Sequence, residues 1–325
     1  MKYSYLYIFI LLPFLACQSN HTSQEKKPTL DITVASDSVS LFGEGIISTA
    51  LFERDLAINP KGTEIVYTLG DYKQSRRSLV VMRQENGEWT APEILPFSGS
   101  KHHDIEPFYT NEGNRIYFAS NRPIFNDSTR NDYNIWYTDK VGGEWAEPIA
   151  LDSIINTKGD EFFPSLSDKG NLFFTATRED GIGREDIFMS QYKEGHFLAP
   201  EVLPVEINTA YYEFNAYISP KEDLLIFSSY GRKDGQGGGD LYISRKDEHG
   251  NWGESKNMGT LINSEKLDFC PFIDWENRIF YFSSERTVLN TQALKTVSDI
   301  KQLAHNPLNG FSNIYKISLD VLDNY

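Results

Sequence analysis

The stretch Asp104-Ile105-Glu106-Pro107, which a polar turn joins to Arg115-Ile116-Tyr117-Phe118-Ala119-Ser120, decides the fold because it recurs along the chain. An acidic residue opens a short strand, a tight turn follows, and an apolar strand comes next. Two further clear copies run from Glu161-Phe162-Phe163-Pro164 to Leu172-Phe173-Phe174-Thr175 and from Asp268-Phe269-Cys270-Pro271 to Ile279-Phe280-Tyr281-Phe282. Self-similarity at a period of about 40 to 60 residues, with strands and no helices, predicts a ring of sheets, that is, a β-propeller.

The repeat has a register that is set by one acidic residue in each copy. These five acids lie 51 to 57 residues apart: Glu53, Asp104, Glu161, Glu213 and Asp268. Strand A starts at the acid, and strand B is the apolar run after the turn. A polar loop leads to strand C, as at Asp240-Leu241-Tyr242, and a second turn leads to strand D, as at Gly143-Glu144-Trp145. The sequence predicts an all-β propeller of five four-stranded blades, with six as the alternative if residues 28–50 supply more than one strand.

The fifth copy lacks a strand D, because the chain ends soon after its strand C at Asn313-Ile314-Tyr315. At the other end, residues 41–49 precede Glu53 much as residues 199–204 precede Glu213. We therefore expect the N-terminal segment to pair as the outer strand of the last blade. This pairing closes the ring with hydrogen bonds and removes an exposed sheet edge.

The fourth copy carries a family resemblance. Its elements are Ser219-Pro220-Lys221-Glu222, then Leu225-Ile226-Phe227-Ser228-Ser229, then Gly237-Gly238-Gly239-Asp240-Leu241-Tyr242. They resemble the TolB-like, WD-like β-propeller repeats of bacterial envelope proteins, and the resemblance extends over residues 40–320. It implies the fold and leaves the function open, because such propellers serve binding, scaffolding and catalysis alike.

The N-terminal sequence predicts that the protein is located in the cell envelope. Residues 1–16 resemble a secretion signal, with Lys2 before an apolar run that is too short for a membrane span. Phe14-Leu15-Ala16-Cys17 resembles the lipobox of bacterial lipoproteins, which implies that Cys17 is acylated and becomes the mature N-terminus; plain cleavage with a free Cys17 is the alternative. Residues 17–38 are expected to be a flexible tether, and residues 39–325 a single propeller domain.

The amino-acid composition of the chain limits the classes of binding partner that we expect. The net charge of −15 disfavours nucleic acid and acidic membrane surfaces, so membrane contact is expected only through the lipid anchor, and the propeller is expected to be monomeric. No cofactor is expected. Residues 180–186 and 234–240 form two oxygen-rich, Gly-rich loops that leave Ca²⁺ as an alternative. The only cysteine besides Cys17 is Cys270, which we expect to be a small buried hydrophobe.

The five acids predict a ring around one mouth of the channel, because strand A is the innermost strand of a propeller blade. Four arginines follow strand B in blades 2 to 5: Arg122, Arg178, Arg232 and Arg286. One interpretation pairs each acid with the arginine of its own blade and makes the ring structural. The other leaves carboxylates free to bind a cation, sugar hydroxyls or a basic peptide at the mouth.

An insertion in blade 5 predicts a short helix near residues 291–304. Leu294, Val297, Ile300 and Leu303 recur at helical spacing, and Pro307 ends the run. We expect the apolar side of this helix to pack on the blade. Capping the channel and docking a partner are the alternatives.

These features predict a membrane-anchored envelope lipoprotein that binds an envelope protein or a glycan at the loop-rich mouth, without catalysis. The alternative is a glycan-acting hydrolase that takes its acid and base from Asp104, Glu161 or Glu213. Hydrolysis requires two carboxyls about 5 to 10 Å apart that are not paired with arginine. A third interpretation is a purely structural spacer.

Overall fold

The computed structural model of the chain describes residues 30–288 and 293–325. The predicted signal peptide and Cys17 lie outside the described residues. Five small antiparallel sheets are arranged around a central channel as a five-bladed propeller, which confirms the predicted fold class and blade number. Within the described part, no helix is long and apolar enough to cross a membrane.

Each blade is built from the channel outward as strands A, B, C and D. Strands A are Phe52–Ile58, Asp104–Tyr109, Glu161–Leu166, Tyr212–Ile218 and Asp268–Asp274. Strands B are Glu64–Gly70, Arg115–Ser120, Leu172–Ala176, Leu224–Tyr230 and Ile279–Ser284. Strands C are Arg77–Glu85, Asn134–Val141, Asp186–Ser190, Asp240–Arg245 and Asn313–Ser318. Strands A of neighbouring blades contact one another all around the ring, so they line the channel as predicted.

The outer edge of the blades is more broken than the sequence predicts. The tryptophan- and phenylalanine-bearing pieces are Glu88–Trp89, Glu144–Trp145 and His196–Phe197, the last paired with Tyr192–Lys193. Separate outer pieces pair with strand C: Glu93–Ile94, Ile149–Ala150, Glu201–Val202 and Lys256–Asn257. In the described part of the chain, the helical elements are α1 (Gly259–Ile262), α2 (Val297–Ala304) and a 3-10 turn at Leu319–Asn324.

The N-terminal segment closes the ring. Ser40–Leu41 pairs antiparallel with strand C of blade 5, with Leu41 opposite Tyr315, as the sequence predicts. The next residue, Phe42, is fully buried, and its ring lies edge-on to Tyr281 at 4.9 Å between centroids. Leu30 and Ile32 are also buried in the same apolar cluster. Contact with the last blade therefore begins before residue 39, where the sequence placed the domain boundary.

Every strand A carries a β-bulge two residues after its acid. The bulged residues are Asp55, Glu106, Phe163, Asn215 and Cys270, and each has φ between 51° and 60°. Side chains other than glycine rarely adopt this left-handed conformation, so the surrounding structure has to hold it in place. In three blades, the bulged N–H donates to a hydroxyl of the preceding blade's strand B, as when Glu106 N bonds Thr68 Oγ1 at 3.1 Å.

Helix α2 corrects one expectation. A capping box formed by Thr296 and Asp299 starts the helix at Val297, inside the range that the sequence predicted. Val297 is 69% exposed, Ile300 is 53% exposed, and none of the helix residues is buried. The apolar side of this helix therefore does not pack on the blade.

Candidate functional site

The five predicted acids all lie at the first or second residue of a strand A. Glu53, Asp104, Glu161, Glu213 and Asp268 are each 0% exposed. A buried carboxylate is stable only if hydrogen bonds or a cation replace the water it has lost. The contacts of the ring supply both, in different proportions from blade to blade.

One set of contacts comes from the connector that leads into each blade. Thr209 donates its backbone N–H to Glu213 Oε2 at 2.7 Å and its hydroxyl to Oε1 at 2.8 Å. A residue four positions before the acid acts in the same way in three other blades: Thr49 on Glu53, Thr157 on Glu161 and Ser264 on Asp268. Each of these acids therefore fixes the connector from the preceding blade.

The other set of contacts comes from the four predicted arginines. Their shortest distances to the acids are 2.8 Å for Arg122–Asp104, 3.8 Å for Arg178–Glu161, 3.0 Å for Arg232–Glu213 and 2.9 Å for Arg286–Asp268. Each guanidinium also donates to a connector carbonyl: Phe97, Ile155, Ile207 and Ile262, respectively. Acid, arginine and connector thus form one latch between neighbouring blades. A ligand-binding role for these residues stays a prediction.

Blade 1 has no arginine in this latch. Glu53 is held by Thr49, and burial raises its pKa from 4.5 to about 7. Glu161, whose arginine lies at 3.8 Å, also has a pKa raised to about 7, again chiefly by burial. Close arginines and hydrogen bonds thus compensate for burial unequally around the ring.

The latch also contains asparagines that sequence reasoning missed. Asn208 accepts a hydrogen bond from Ile187 N at 2.9 Å and donates to Ile187 O and Leu203 O, both at 2.9 Å. Asn156 and Asn263 make equivalent bonds to Ile135 and Leu241, the second residues of strand C in their blades. A signal was present, because each asparagine directly precedes the threonine or serine that binds the next acid.

A polar network lies in the channel at the level of the bulges. Arg54 donates through Nε to Asp55 at 2.7 Å and through Nη2 to Glu106 Oε1 at 2.6 Å. Glu106 also accepts from Asn215 Nδ2 at 3.3 Å and from Phe163 N at 2.7 Å. The bond from Phe163 takes the place of a hydroxyl contact, because blade 2 has Ala119 where blades 1 and 3 have Thr68 and Thr175. Burial raises the pKa of Glu106 to about 7 despite the neighbouring Arg54.

A cavity of about 230 Å³ opens above this network, at the end of the channel where the strands A begin; we call it the mouth cavity. Its apolar lining is Ile105, Phe162, Phe214, Leu267 and Phe269. Its polar lining is Arg54, Arg77, Glu106, Tyr133, Asp160 and Asn215. Within the described chain, Arg77 forms no ion pair, and its buried Nε has no hydrogen-bond partner. The mouth thus combines apolar surface with a guanidinium that forms no direct ion pair among the described residues, although Asp160 and Glu106 line the same cavity.

The two Gly-rich loops have a structural explanation that requires no Ca²⁺. Asp186 accepts hydrogen bonds from the backbone N–H groups of Ile182 and Gly183, and Asp240 accepts from those of Gln236 and Gly237. A side chain at Gly183 would lie only 2.3 Å from the Thr209 carbonyl oxygen, so the loop packs directly on the next connector. No cluster of three or more metal-ligating side chains occurs in the described part of the chain.

Comparisons with known proteins concern the fold. No protein-family model and no curated protein matches the chain. Similar solved structures include TolB from Acinetobacter baumannii, with 13% identity, a TM-score of 0.46, and coverage of 70% of this chain and 48% of that one. The GH43 endo-arabinanase from Bacillus licheniformis has 14% identity, a TM-score of 0.49, and coverage of 82% and 93%. An α-L-arabinofuranosidase from Podospora anserina has 12% identity, a TM-score of 0.46, and coverage of 88% and 94%. This chain spans about half the length of that TolB protein.

Proposed function

We propose that this protein is a non-catalytic binding module of the bacterial cell envelope, which takes an envelope protein or a glycan at the mouth cavity. The observation that carries the proposal is the contrast between the mouth cavity and the acids. The cavity joins apolar side chains to an unpaired Arg77, whereas the acids are buried and bonded within the protein. An open, mostly apolar cavity with a few convergent polar groups is the usual form of a binding site.

The lining indicates the chemistry of the ligand. Phe162 and Phe214 are partly exposed and offer apolar contact, and Arg77 offers hydrogen-bond donors and positive charge. A guanidinium in such surroundings favours a carboxylate or another oxygen acceptor. The ligand group therefore combines an apolar portion with an acceptor oxygen, as an acidic sugar or a peptide segment does.

The alternative function is that of a glycan-acting hydrolase, and Glu106 is the residue that supports it. Its carboxyl lies at the mouth cavity, and a pKa of about 7 would suit a general acid near neutral pH. The contacts of Glu106 argue against this role, because Arg54, Asn215 and the Phe163 N–H occupy its oxygens. Asp104, Glu161 and Glu213 are fully buried, which argues against direct contact with a substrate.

Site-specific photo-crosslinking tests the binding proposal. A photoreactive residue at position 214 should give a discrete adduct in cell-envelope extract, and Arg77→Ala should weaken it. The same residue at position 141, where Val141 is 68% exposed on the outer part of blade 2, is the matched control and should give no discrete adduct. Equal adducts from both positions would contradict the proposal. Polysaccharide breakdown that Glu106→Gln abolishes, with unchanged unfolding curves, would establish the hydrolase instead.

The envelope address is a proposal as well. It is supported by the resemblance of Phe14-Leu15-Ala16-Cys17 to a lipobox and by the apolar run before it. Acylation of Cys17 would tether the propeller to a membrane through a lipid.

A further inference from the structure

The channel has a second opening at the A–B turns, on the far side of the Arg54 network. A cavity of about 220 Å³ lies there, and turns from blades 1, 2, 4 and 5 contribute to it. Its lining includes Phe108, Tyr217, Phe272 and Trp275. This exit cavity belongs neither to the mouth cavity nor to the ring of acids.

Trp275 is an exposed aromatic ring that is held in a fixed position. It is 43% exposed, yet its indole N–H donates to the Tyr217 hydroxyl at 2.8 Å. That hydroxyl in turn donates to the Ile273 carbonyl at 3.3 Å, and the Tyr217 ring meets Phe272 edge-on at 6.0 Å. A large aromatic surface that is exposed and already fixed loses little conformational entropy when a ligand packs on it.

A cleft of about 510 Å³ between blades 2 and 3 adjoins the exit cavity. Phe108, Asn111 and Leu166 line both spaces, so the two are neighbours. Tyr192 lines the cleft and is 42% exposed; its ring packs edge-on against Phe197 at 5.1 Å. One fixed aromatic ring thus stands in the exit cavity and another in the adjoining cleft.

The polar groups of the cleft are hydroxyls, amides and charged side chains. Arg115 pairs with Asp139 at 2.6 Å, and Lys140 pairs with Glu64 at 3.0 Å, so the cations of the cleft are compensated. Asn111 donates to Asp168 across the A–B turns of blades 2 and 3. Thr110 lines the cleft, and its buried hydroxyl has no hydrogen-bond partner among the described residues. Glu112 and Asp168 also line the cleft, so the lining disfavours an anion and suits an uncharged ligand that is rich in hydroxyl groups.

We propose that the exit cavity and the adjoining cleft form a second binding site, which takes a neutral oligosaccharide. Sugar rings pack their apolar faces on Trp275 and Tyr192, and their hydroxyls bond Asn111 and Asp168. Two adjoining spaces fit a chain of sugar units better than a single ring. The site is distinct from the mouth cavity, because neither the exit cavity nor the cleft shares a lining residue with it.

The test is an array of neutral gluco-, xylo-, arabino- and manno-oligosaccharides of graded length, with titration of the full chain against any that bind. We expect affinity to rise with chain length, and the bound sugar to protect Trp275 from acrylamide quenching. Trp275→Ala and Tyr192→Ala should each weaken binding by on the order of tenfold or more. Tyr230→Ala removes a ring that is 50% exposed at the opposite end of blade 4, and Phe214→Ala alters the mouth cavity; both are controls and should leave binding unchanged.

Four results would overturn the proposal. The first is an array on which no oligosaccharide binds the wild type. The second is wild-type affinity in both folded variants, with folding checked by circular dichroism. The third is competition by a peptide library for the Trp275 quenching signal, because that would assign the cleft to a polypeptide. If Phe214→Ala alone abolished sugar binding, the oligosaccharide would belong to the mouth cavity and the second site would be refuted.

Discussion

The Arg54 guanidinium of blade 1 lies 2.6 Å from the Glu106 carboxylate of blade 2, inside the channel. The same guanidinium holds Asp55 at 2.7 Å and lies over the Phe269 ring of blade 5 at 4.9 Å. One side chain therefore connects three blades around the centre of the ring. The mouth cavity and the exit cavity share no lining residue, so they are distinct spaces.

Arg54→Met should lower the free energy of unfolding by about 3 to 5 kcal/mol, because Asp55 and Glu106 would stay buried without their cation. The loss should be larger above neutral pH than below it, since the raised pKa of Glu106 lets this carboxyl take up a proton as the pH falls. Urea unfolding at the two pH values measures both effects. Arg278→Ala is the control, because this arginine pairs with Asp320 on the surface and its loss should leave the unfolding curve nearly unchanged. Equal losses in the two variants would refute the role of the network.

The raised pKa of Glu53 predicts how the stability of the protein changes with pH. Burial raises its pKa in the folded protein from 4.5 to about 7, so the folded state binds more protons than the unfolded state between these values. Its contribution to stability is therefore present at low pH and is lost as the pH rises through about 7. The free energy of unfolding of Glu53→Gln should be close to that of the wild type near pH 4.5. Above a pH of about 7, it should exceed the wild-type value by about 1 to 3 kcal/mol.

The matched variant for Glu53→Gln is Glu213→Gln in blade 4. Glu213 has the same connector threonine but also binds Arg232 at 3.0 Å. Its replacement leaves that buried guanidinium without a carboxylate, so Glu213→Gln should destabilise the protein at both pH values. If Glu53→Gln were the more damaging of the two above neutral pH, our account of the ring would be wrong.

Two substitutions of Asn208 should destabilise the protein to different extents. Asn208→Ala should cost about 2 to 4 kcal/mol, because a buried backbone group that loses its partner costs about 1 to 3 kcal/mol. Asn208→Ser should recover part of this loss, since Ser48 makes comparable bonds to Ile314 N and O in the last blade. Thermal unfolding of the three proteins measures the order. Serine and alanine variants of equal stability would show that packing, and not hydrogen bonding, explains the asparagine.

The sequence predicts the repeating part of this protein well. The acid, the A–B turn and the apolar strand B occur once per blade, so several copies reinforce each assignment, and the closing N-terminal strand was inferred from the strand that the fifth copy lacks. The arginines were found for the same reason. In the antiparallel A–B hairpin of blade 4, Glu213 lies opposite Ser229, and Arg232 follows Ser229 by three residues. The hairpin therefore brings the acid and the arginine of the blade close together.

The features that the sequence does not predict either occur once in the chain or arise only from contacts in the folded protein. Arg54 has no counterpart at the same position in the other blades, where Ile105, Phe162, Phe214 and Phe269 stand. Its partner Glu106 is 52 residues away along the chain and meets it only when blades 1 and 2 pack together. The exposed side of α2 could not be foreseen either, because apolar spacing indicates a helix without showing what covers it.

Cys17 provides a direct test of the envelope proposal. Cys17→Ser should move the protein from the membrane fraction to the soluble fraction, because a thioether-linked lipid requires the sulfur atom. Fractionation followed by immunoblotting measures the change, and Cys270→Ser is the control because this thiol is buried in the propeller. Membrane association that survives Cys17→Ser would refute lipidation at this residue.

Closure of the ring by the N-terminal segment leads to the last prediction. Phe42→Ala should cost about 3 to 5 kcal/mol, because its fully buried ring packs on Tyr281 where the two ends of the chain meet. Phe125→Ala removes the same group from a 50% exposed position and should cost little. Ile32→Ala then locates the start of the domain, because Ile32 is buried in the same cluster as Phe42. A loss of about 2 kcal/mol or more in urea unfolding would place residues before 39 within the folded domain, whereas wild-type stability would return the boundary to residue 39.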